Sequence, residues 1–301
     1  MSTKDELHRL VNVLSEYECK HLLNAVQDIA EGERFWEGDF GHLYNEYVKL
    51  RYINTRRALP PGLSVEDDAF VPIPIVKSYT DAECLQLPTP NRLGASLTET
   101  ITGRRSRRDY SGTSISLGQV STLLQYACGV TDFVPAYKYA RLPLRTFPSH
   151  GGLQAPEVYL SVQAVDGLPT GIYHYRAIEH ALEPLTSGNH SQRLCTLAFD
   201  ESYVECSAVV FLITGYYERL RWKYGERAYR FMCIDAGFLG ENLYLVAEAL
   251  GLGACAISGF AQDGVEELLG IDGKEEIALM LLTVGVRQDV EKVSTEVEHL
   301  E

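Results

Sequence analysis

No two cysteines in this 301-residue chain are spaced C-x-x-C. The seven present (Cys19, Cys84, Cys128, Cys195, Cys206, Cys233, Cys255) are scattered and odd in number. That pattern argues against a zinc site and fits reduced, mostly buried thiols of a cytosolic protein better than a disulfide frame. Long hydrophobic runs are absent as well, and none approaches the roughly 20 residues of a membrane span. No secretory signal pattern opens the chain, because Met1–Glu6 leads straight into a charged helix. Basic charge is scarce, with 27 Lys and Arg against 41 Asp and Glu and a formal net charge of −14. That balance argues against general nucleic-acid or anionic-membrane binding, both of which want a basic surface. The expected setting is soluble and cytoplasmic.

The signatures of several enzyme classes are also missing. There is no G-x-x-x-x-G-K-[ST], no G-x-G-x-x-G after a strand, no G-x-S-x-G and no H-E-x-x-H. The eight histidines, His150, His174 and His180 among them, show no metal spacing. A kinase, a Rossmann dehydrogenase, a serine hydrolase or a zinc hydrolase would each lack a necessary part, and no metal is expected.

What is present is ample apolar content, 46% with 23% charged residues, enough for a large core. Residues 1–57 read as a helical appendage. Thr3–Glu6 forms a capping-box pattern, and apolar stripes run through Leu7, Leu10, Leu14, Leu22 and Val26. Such stripes are packing faces or a partner contact. Six of the twelve prolines fall in residues 58–95, the pattern of an extended linker. Residues 96–288 carry the main domain, and 289–301 a charged tail. Within the domain, helices are expected at 97–102, 117–127, 191–199, 231–250 and 263–269. Strands are expected at 157–162, 171–175, 208–214, 254–257 and 277–286, the first two as an antiparallel pair, with 130–147 a loop. The sum is an α+β chain.

Against its acidic background the chain concentrates Arg104, Arg105, Arg107 and Arg108 around Ser106, in G-R-R-S-R-R-D-Y-S-G (103–112). Packed guanidinium groups repel one another unless an anion or carboxylates sit among them, and their forks match phosphate oxygens in pairs. The segment is either a solvated basic turn or a phosphate grip. Pro148-Ser149-His150-Gly151-Gly152 and Gly251-Leu252-Gly253 add two turns where backbone can approach a ligand closely.

Four blocks carry a resemblance: G-R-R-S-R-R-D-Y (103–110), R-T-F-P-S-H-G-G-L-Q-A-P-E-V-Y-L (145–160), G-I-Y-H-Y (171–175) with A-L-E-P-L (181–185), and G-L-G-A-C-A-I-S-G-F (251–260). In this order they resemble the nitroreductase fold, and more closely the SagB/McbC-type dehydrogenases, FMN-dependent peptide oxidases that make thiazoles and oxazoles. The resemblance implies an antiparallel-rich central sheet flanked by helices, and a homodimer with FMN at the subunit interface. It implies that Arg104, Ser106 and Arg108, with Arg105, meet the phosphate and ribityl chain. Pro148, Ser149 and Gly151 would lie beside the flavin, and Gly253, Ala254, Ser258 and Gly259 would approach it from another side. His150, in the same turn and also a candidate for cofactor binding, departs from the family, which more usually has a small residue there, so its imidazole either points away from the flavin ring or adds a contact to it.

The same resemblance implies that Lys223 and Tyr224 are catalytic. A neutral amine or a phenolate could draw the proton that azoline aromatisation releases, and burial beside cations would tune either group. Arg219, Arg221, Arg227 and Arg230 lie close in sequence. Without the resemblance, the pair reads as surface residues at a helix entry. The implied function is oxidation of azolines in a modified precursor peptide, with a cyclodehydratase as expected partner. An NAD(P)H-dependent nitro- or ene-reductase, or a flavin-free structural subunit, are the alternatives.

Overall fold

Continuous apolar, β-branched runs place the strands of the main sheet. In a computed structural model the described residues are 73–79 and 84–288, together with Gly41, Tyr44 and Asn45. Most of the expected appendage, part of the linker and all of the tail lie outside them. Two compact units are distinguished, residues 1–62 with 221–228, and residues 63–220 with 229–301.

The second unit is built on seven strands. In chain order it contains β1 (Leu85–Gln86), α1 (Leu97–Gly103), β2 (Ile115–Ser116), α2 (Leu117–Cys128), β3 (Val130–Ala136) and β4 (Tyr139–Arg145). Then come β5 (Pro156–Val162), β6 (Val165–Asp166), β7 (Gly171–Arg176), β8 (Ala181–Ser187), α3 (Ser191–Leu197), α4 (Tyr203–Cys206) and β9 (Val209–Tyr216). Helix α5 (Glu218–Tyr224) and the long helix α6 (Ala228–Ala249) cross between the units, and β10 (Leu252–Ile257), α7 (Gln262–Leu269) and β11 (Glu276–Val286) complete the order. The sheet runs β1-β8-β7-β5-β9-β11-β10, every neighbouring pair antiparallel.

Side-chain alternation along these strands divides the core in two. Val158, Leu160, Phe211 and Ile213 point to one face, where Val120, Leu123 and Leu124 of α2 and Leu239 and Leu243 of α6 cover them. Tyr159, Val210 and Leu212 point to the other, beneath Leu194 of α3, Val204 of α4 and Val265 of α7. Helix α2 begins at the capping box of Ser116 and Gln119 and stops at Gly129, where a Cβ would sit 2.5 Å from the Gln125 carbonyl. Close approach, rather than a left-handed backbone, requires glycine there.

Residues 130–147, expected as a loop, contain the β3–β4 hairpin. Its turn is Tyr137-Lys138, both at positive φ (48° and 63°), without the Gly or Asn that announces such turns. Arg141 and Phe133 stack across it, 4.1 Å from guanidinium carbon to ring centroid.

One end of the second face is polar instead of apolar. His174 of β7 is buried with its Nε2 3.1 Å from Glu157 and its Nδ1 3.0 Å from Glu183. Arg219, 1% exposed, donates to Glu157 at 2.5 Å, to the Gln154 carbonyl and to the Pro74 carbonyl. Residues 73–79 lie against this cluster. The Tyr79 amide donates to Glu183, its hydroxyl meets that of Tyr159, and Lys77 pairs with Glu276. Burial alone would raise the Glu157 carboxyl; Arg219 and His174 outweigh it and hold it at about 2.

Removing Arg219 leaves that carboxylate buried without its strongest partner. Arg219→Ala should cost about 3–5 kcal/mol, read as a lower urea midpoint at neutral pH. Because the folded Glu157 value is depressed below 4.5, its contribution is present above that pH and is lost as pH falls toward about 2. Acid denaturation curves should therefore steepen in that window for the wild type and flatten for Glu157→Gln.

Candidate functional site

The arginine segment follows α1 and is fastened to the edge of β10. The Arg107 amide donates to the Ala254 carbonyl at 2.8 Å, and Ser106 forms a parallel bridge with Ala254. Tyr244 of α6 closes the arrangement. Its hydroxyl accepts the Ala256 amide at 2.6 Å and lies 3.0 Å from the Ser106 hydroxyl. The Arg104 guanidinium sits over the Tyr244 ring, 5.3 Å from its centroid, and Arg108 sits over Tyr203 at 5.7 Å.

The four arginines do different things. Arg107 is pinned through its backbone amide to Ala254, and its guanidinium lies 4.0 Å from Glu248, which Arg287 holds at 2.5 Å. Arg105 donates to the carbonyls of Thr102 and Arg104. Arg104 has a loose carboxylate partner, Glu241 at 3.7 Å, and Arg108 is exposed beside Tyr203. Arg104 and Arg108 are thus cations with donor capacity to spare, and Ser106 stands between them. That donor set suits a phosphate.

Gly253, expected to face a ligand, has a packing reason of its own. A Cβ there would come within 3.0 Å of the Tyr110 ring and 3.3 Å of Arg107 Cβ. Tyr110 is buried across Gly253 and Gly285, with its hydroxyl 2.8 Å from Thr283 Oγ1. Ser258 and Gly259, by contrast, are exposed just past β10, and open space surrounds Gly259.

The turn at 148–152 is anchored elsewhere. Gly151 and Gly152 both take positive φ, 64° and 69°, while Pro148 is exposed. Ser149 Oγ donates to Asp235 Oδ2 at 2.7 Å, and the His150 amide lies 3.2 Å from both oxygens of that carboxylate. His150 Nδ1 meets Asp235 Oδ1 at 2.6 Å, and the ring stacks on Phe231 with centroids 4.0 Å apart. Burial pushes the Asp235 carboxyl above its ordinary value, against the hydrogen bonds from His150 and Ser149.

Asp235 and Tyr244 are nine residues apart on α6. At about 100° per residue their side chains leave the helix on opposite sides. Among the described residues no hydrogen bond or ion pair joins 148–151 to 104–108 or to 253–259. Within the second unit the 148–151 turn is therefore anchored on one side of α6 and the arginine segment on the other. Lys223 and Tyr224 belong to the other unit, on α5, with the Lys223 ammonium 5.2 Å from the Tyr224 ring centroid. Arg219 adds no free charge near them in sequence, being committed to Glu157. Among the described residues no cluster of His, Cys, Asp or Glu could hold a metal ion, and no helix is long and apolar enough to cross a membrane.

Tyr244 and Asp235 were missed in the sequence. Tyr244 reads as one more apolar position of a helix. Asp235 left a signal, a lone acid in the apolar stretch Phe231–Leu239.

A sequence model described as the Nitroreductase family matches residues 101–286. Protein MJ1384 of Methanocaldococcus jannaschii, which carries a provisional nitroreductase name, is 28% identical over 203 residues, 67% of this chain and 97% of that protein. The trifolitoxin-processing protein TfxB of Rhizobium leguminosarum is 29% identical over 56% of this chain and 47% of its own length. The microcin B17-processing protein McbC of Escherichia coli is 28% identical over 47% of this chain and 54% of its own length. The chain spans about half the length of these last two.

Tyr244→Phe tests the seat of the arginine segment without any ligand. It leaves the Ala256 amide unpaired and should cost about 1–3 kcal/mol. Hydrogen exchange at Ala256 should accelerate accordingly, while the sheet amides of β9 stay protected.

Proposed function

Because the chain belongs to the nitroreductase family, we propose that it is an FMN-dependent dehydrogenase that oxidises azolines of a modified precursor peptide to thiazoles or oxazoles. The observation that carries the flavin is the cradle of Arg104, Ser106 and Arg108 on Ala254 and Tyr244. Two guanidinium groups with spare donors and a hydroxyl fit a phosphate ester, with Arg105 at the rim. Open space at Gly259 and the exposed Ser258 leave room for a planar group beside β10. When bound, FMN supplies the hydride acceptor. The peptide substrate is supported by the toxin-processing relatives TfxB and McbC.

The separation of the turn from the arginine segment supports a homodimer. Since Pro148, Ser149, His150 and Gly151 sit on the far side of α6 from the arginine cradle, a second copy is the natural source of the missing wall. Leu97 and Ile101 of α1 and Ile234 and Phe238 of α6 are exposed apolar side chains that such a partner would cover. A cyclodehydratase is the expected enzyme upstream, since azolines must be formed before they are oxidised.

Lys223 and Tyr224 are the proposed catalytic pair, one of them accepting the proton lost from the azoline carbon. Lys223→Ala or Tyr224→Phe should abolish azoline oxidation, followed by mass loss of two hydrogens per ring, with bound flavin retained. Normal oxidation by both variants would refute the assignment. Arg104→Ala should weaken FMN binding by about 2–5 kcal/mol, read by fluorescence titration. The provisional name of MJ1384 supports a second reading, an NAD(P)H-dependent reductase. Rapid NAD(P)H consumption with a nitroarene, and no azoline oxidation, would select it.

A further inference from the structure

The turn at 148–152 holds more chemistry than backbone approach to a ligand requires. Asp235 has no exposed side-chain surface, yet its two oxygens receive Ser149 Oγ, the His150 amide and His150 Nδ1. The 2.6 Å contact at Nδ1 sets the tautomer: the proton sits on Nδ1, and Nε2 carries the free lone pair. Stacking on Phe231, with the ring planes 7° apart, stops the imidazole from turning over. The side chain is 27% exposed, and Nε2 has no protein partner among the described residues. Asp235 is also the one titratable group in contact with it there. The free nitrogen is therefore the atom that a ligand or solvent meets. When Nε2 takes up a proton, the charge that forms lies against a buried carboxylate, the arrangement that makes a histidine an effective proton carrier.

We infer that Asp235 and His150 form an acid–base dyad of the flavin site, in which His150 Nε2 delivers the proton consumed when dioxygen reoxidises the reduced cofactor. The inference rests on the FMN and homodimer readings above. The balance requires such a donor. Aromatising an azoline releases one proton and transfers one hydride to the cofactor. Passing that pair of electrons to dioxygen uses the transferred hydrogen and one further proton, giving hydrogen peroxide. Lys223 and Tyr224 are proposed for the proton that leaves carbon. Nε2–H of the imidazolium supplies the second, and the neutral ring reloads from water through its exposed edge. Asp235 is a positioning residue: it holds the ring and compensates its charge.

The test needs no peptide. FMN-loaded protein is reduced photochemically without oxygen, then mixed with aerated buffer, and recovery of oxidised flavin absorbance is followed. His150→Gln should reoxidise at least ten-fold more slowly at neutral pH. Long-range 1H–15N spectra of flavin-free wild-type protein should show a single His150 tautomer protonated at Nδ1, and Asp235→Asn should mix the two. A wild-type reoxidation rate in His150→Gln, or mixed tautomers in the wild type, would overturn the dyad while leaving flavin binding untouched. Protein that takes up no FMN would instead overturn the flavin reading, and this role with it.

Discussion

The Tyr244 hydroxyl is the contact on which the arginine cradle depends. It joins the last long helix to the Ala256 amide of the edge strand and to Ser106 of the arginine segment. An extended, arginine-rich segment has no reason of its own to stay in place, because its cations repel one another. Two features hold it: backbone pairing to Ala254 and a tyrosine ring under Arg104. Their result is that Arg104 and Arg108 are presented with spare donors. The protein thereby carries a local positive site on a strongly acidic chain, which favours an anionic ligand there over the rest of the surface.

The same helix carries the second half of the chemistry on its opposite side. Asp235 is buried where an apolar residue would pack, and the cost of that burial is offset by three donors from one turn. Helix α6 therefore carries Asp235 and Tyr244 on opposite sides, and its length and lack of proline keep their relation rigid. The sheet beneath it plays a comparable role for residues 73–79, where the Lys77–Glu276 ion pair and the hydrogen bonds of Tyr79 add to the buried Ile75 and to Tyr79 packed against the core. Such contacts are directional and pH-dependent, so this segment is held in one register.

Much of the architecture was legible in the sequence because its signals are local. The runs at 157–162, 208–214 and 277–286 are strands in the interior of the sheet, and the capping box at Ser116 starts its helix where the pattern places it. The β3–β4 hairpin was not legible, since Tyr137 and Lys138 take left-handed backbone without the residues that normally mark it. The site was legible in part. The arginine cluster announced itself by charge, but its seat depends on Ala254 and Tyr244, more than 130 residues away. Gly253 looked like a backbone approach to ligand, yet it also makes room for Tyr110. Least visible was that Asp235 and Tyr244 leave α6 on opposite sides, because this arises from the angle between two positions on one helix.

The central claim is that each flavin site is assembled from the arginine cradle of one copy and the 148–151 turn of another. Complementation between two disabled chains tests it most directly. Arg104→Ala removes the cradle, and Pro148→Trp fills the outer face of the turn. Each homodimer alone should purify without FMN, whereas mixed dimers isolated through two different tags should bind it, because one of their sites is intact on both sides. Mixed dimers as empty as their parents, with both chains folded, would contradict the account.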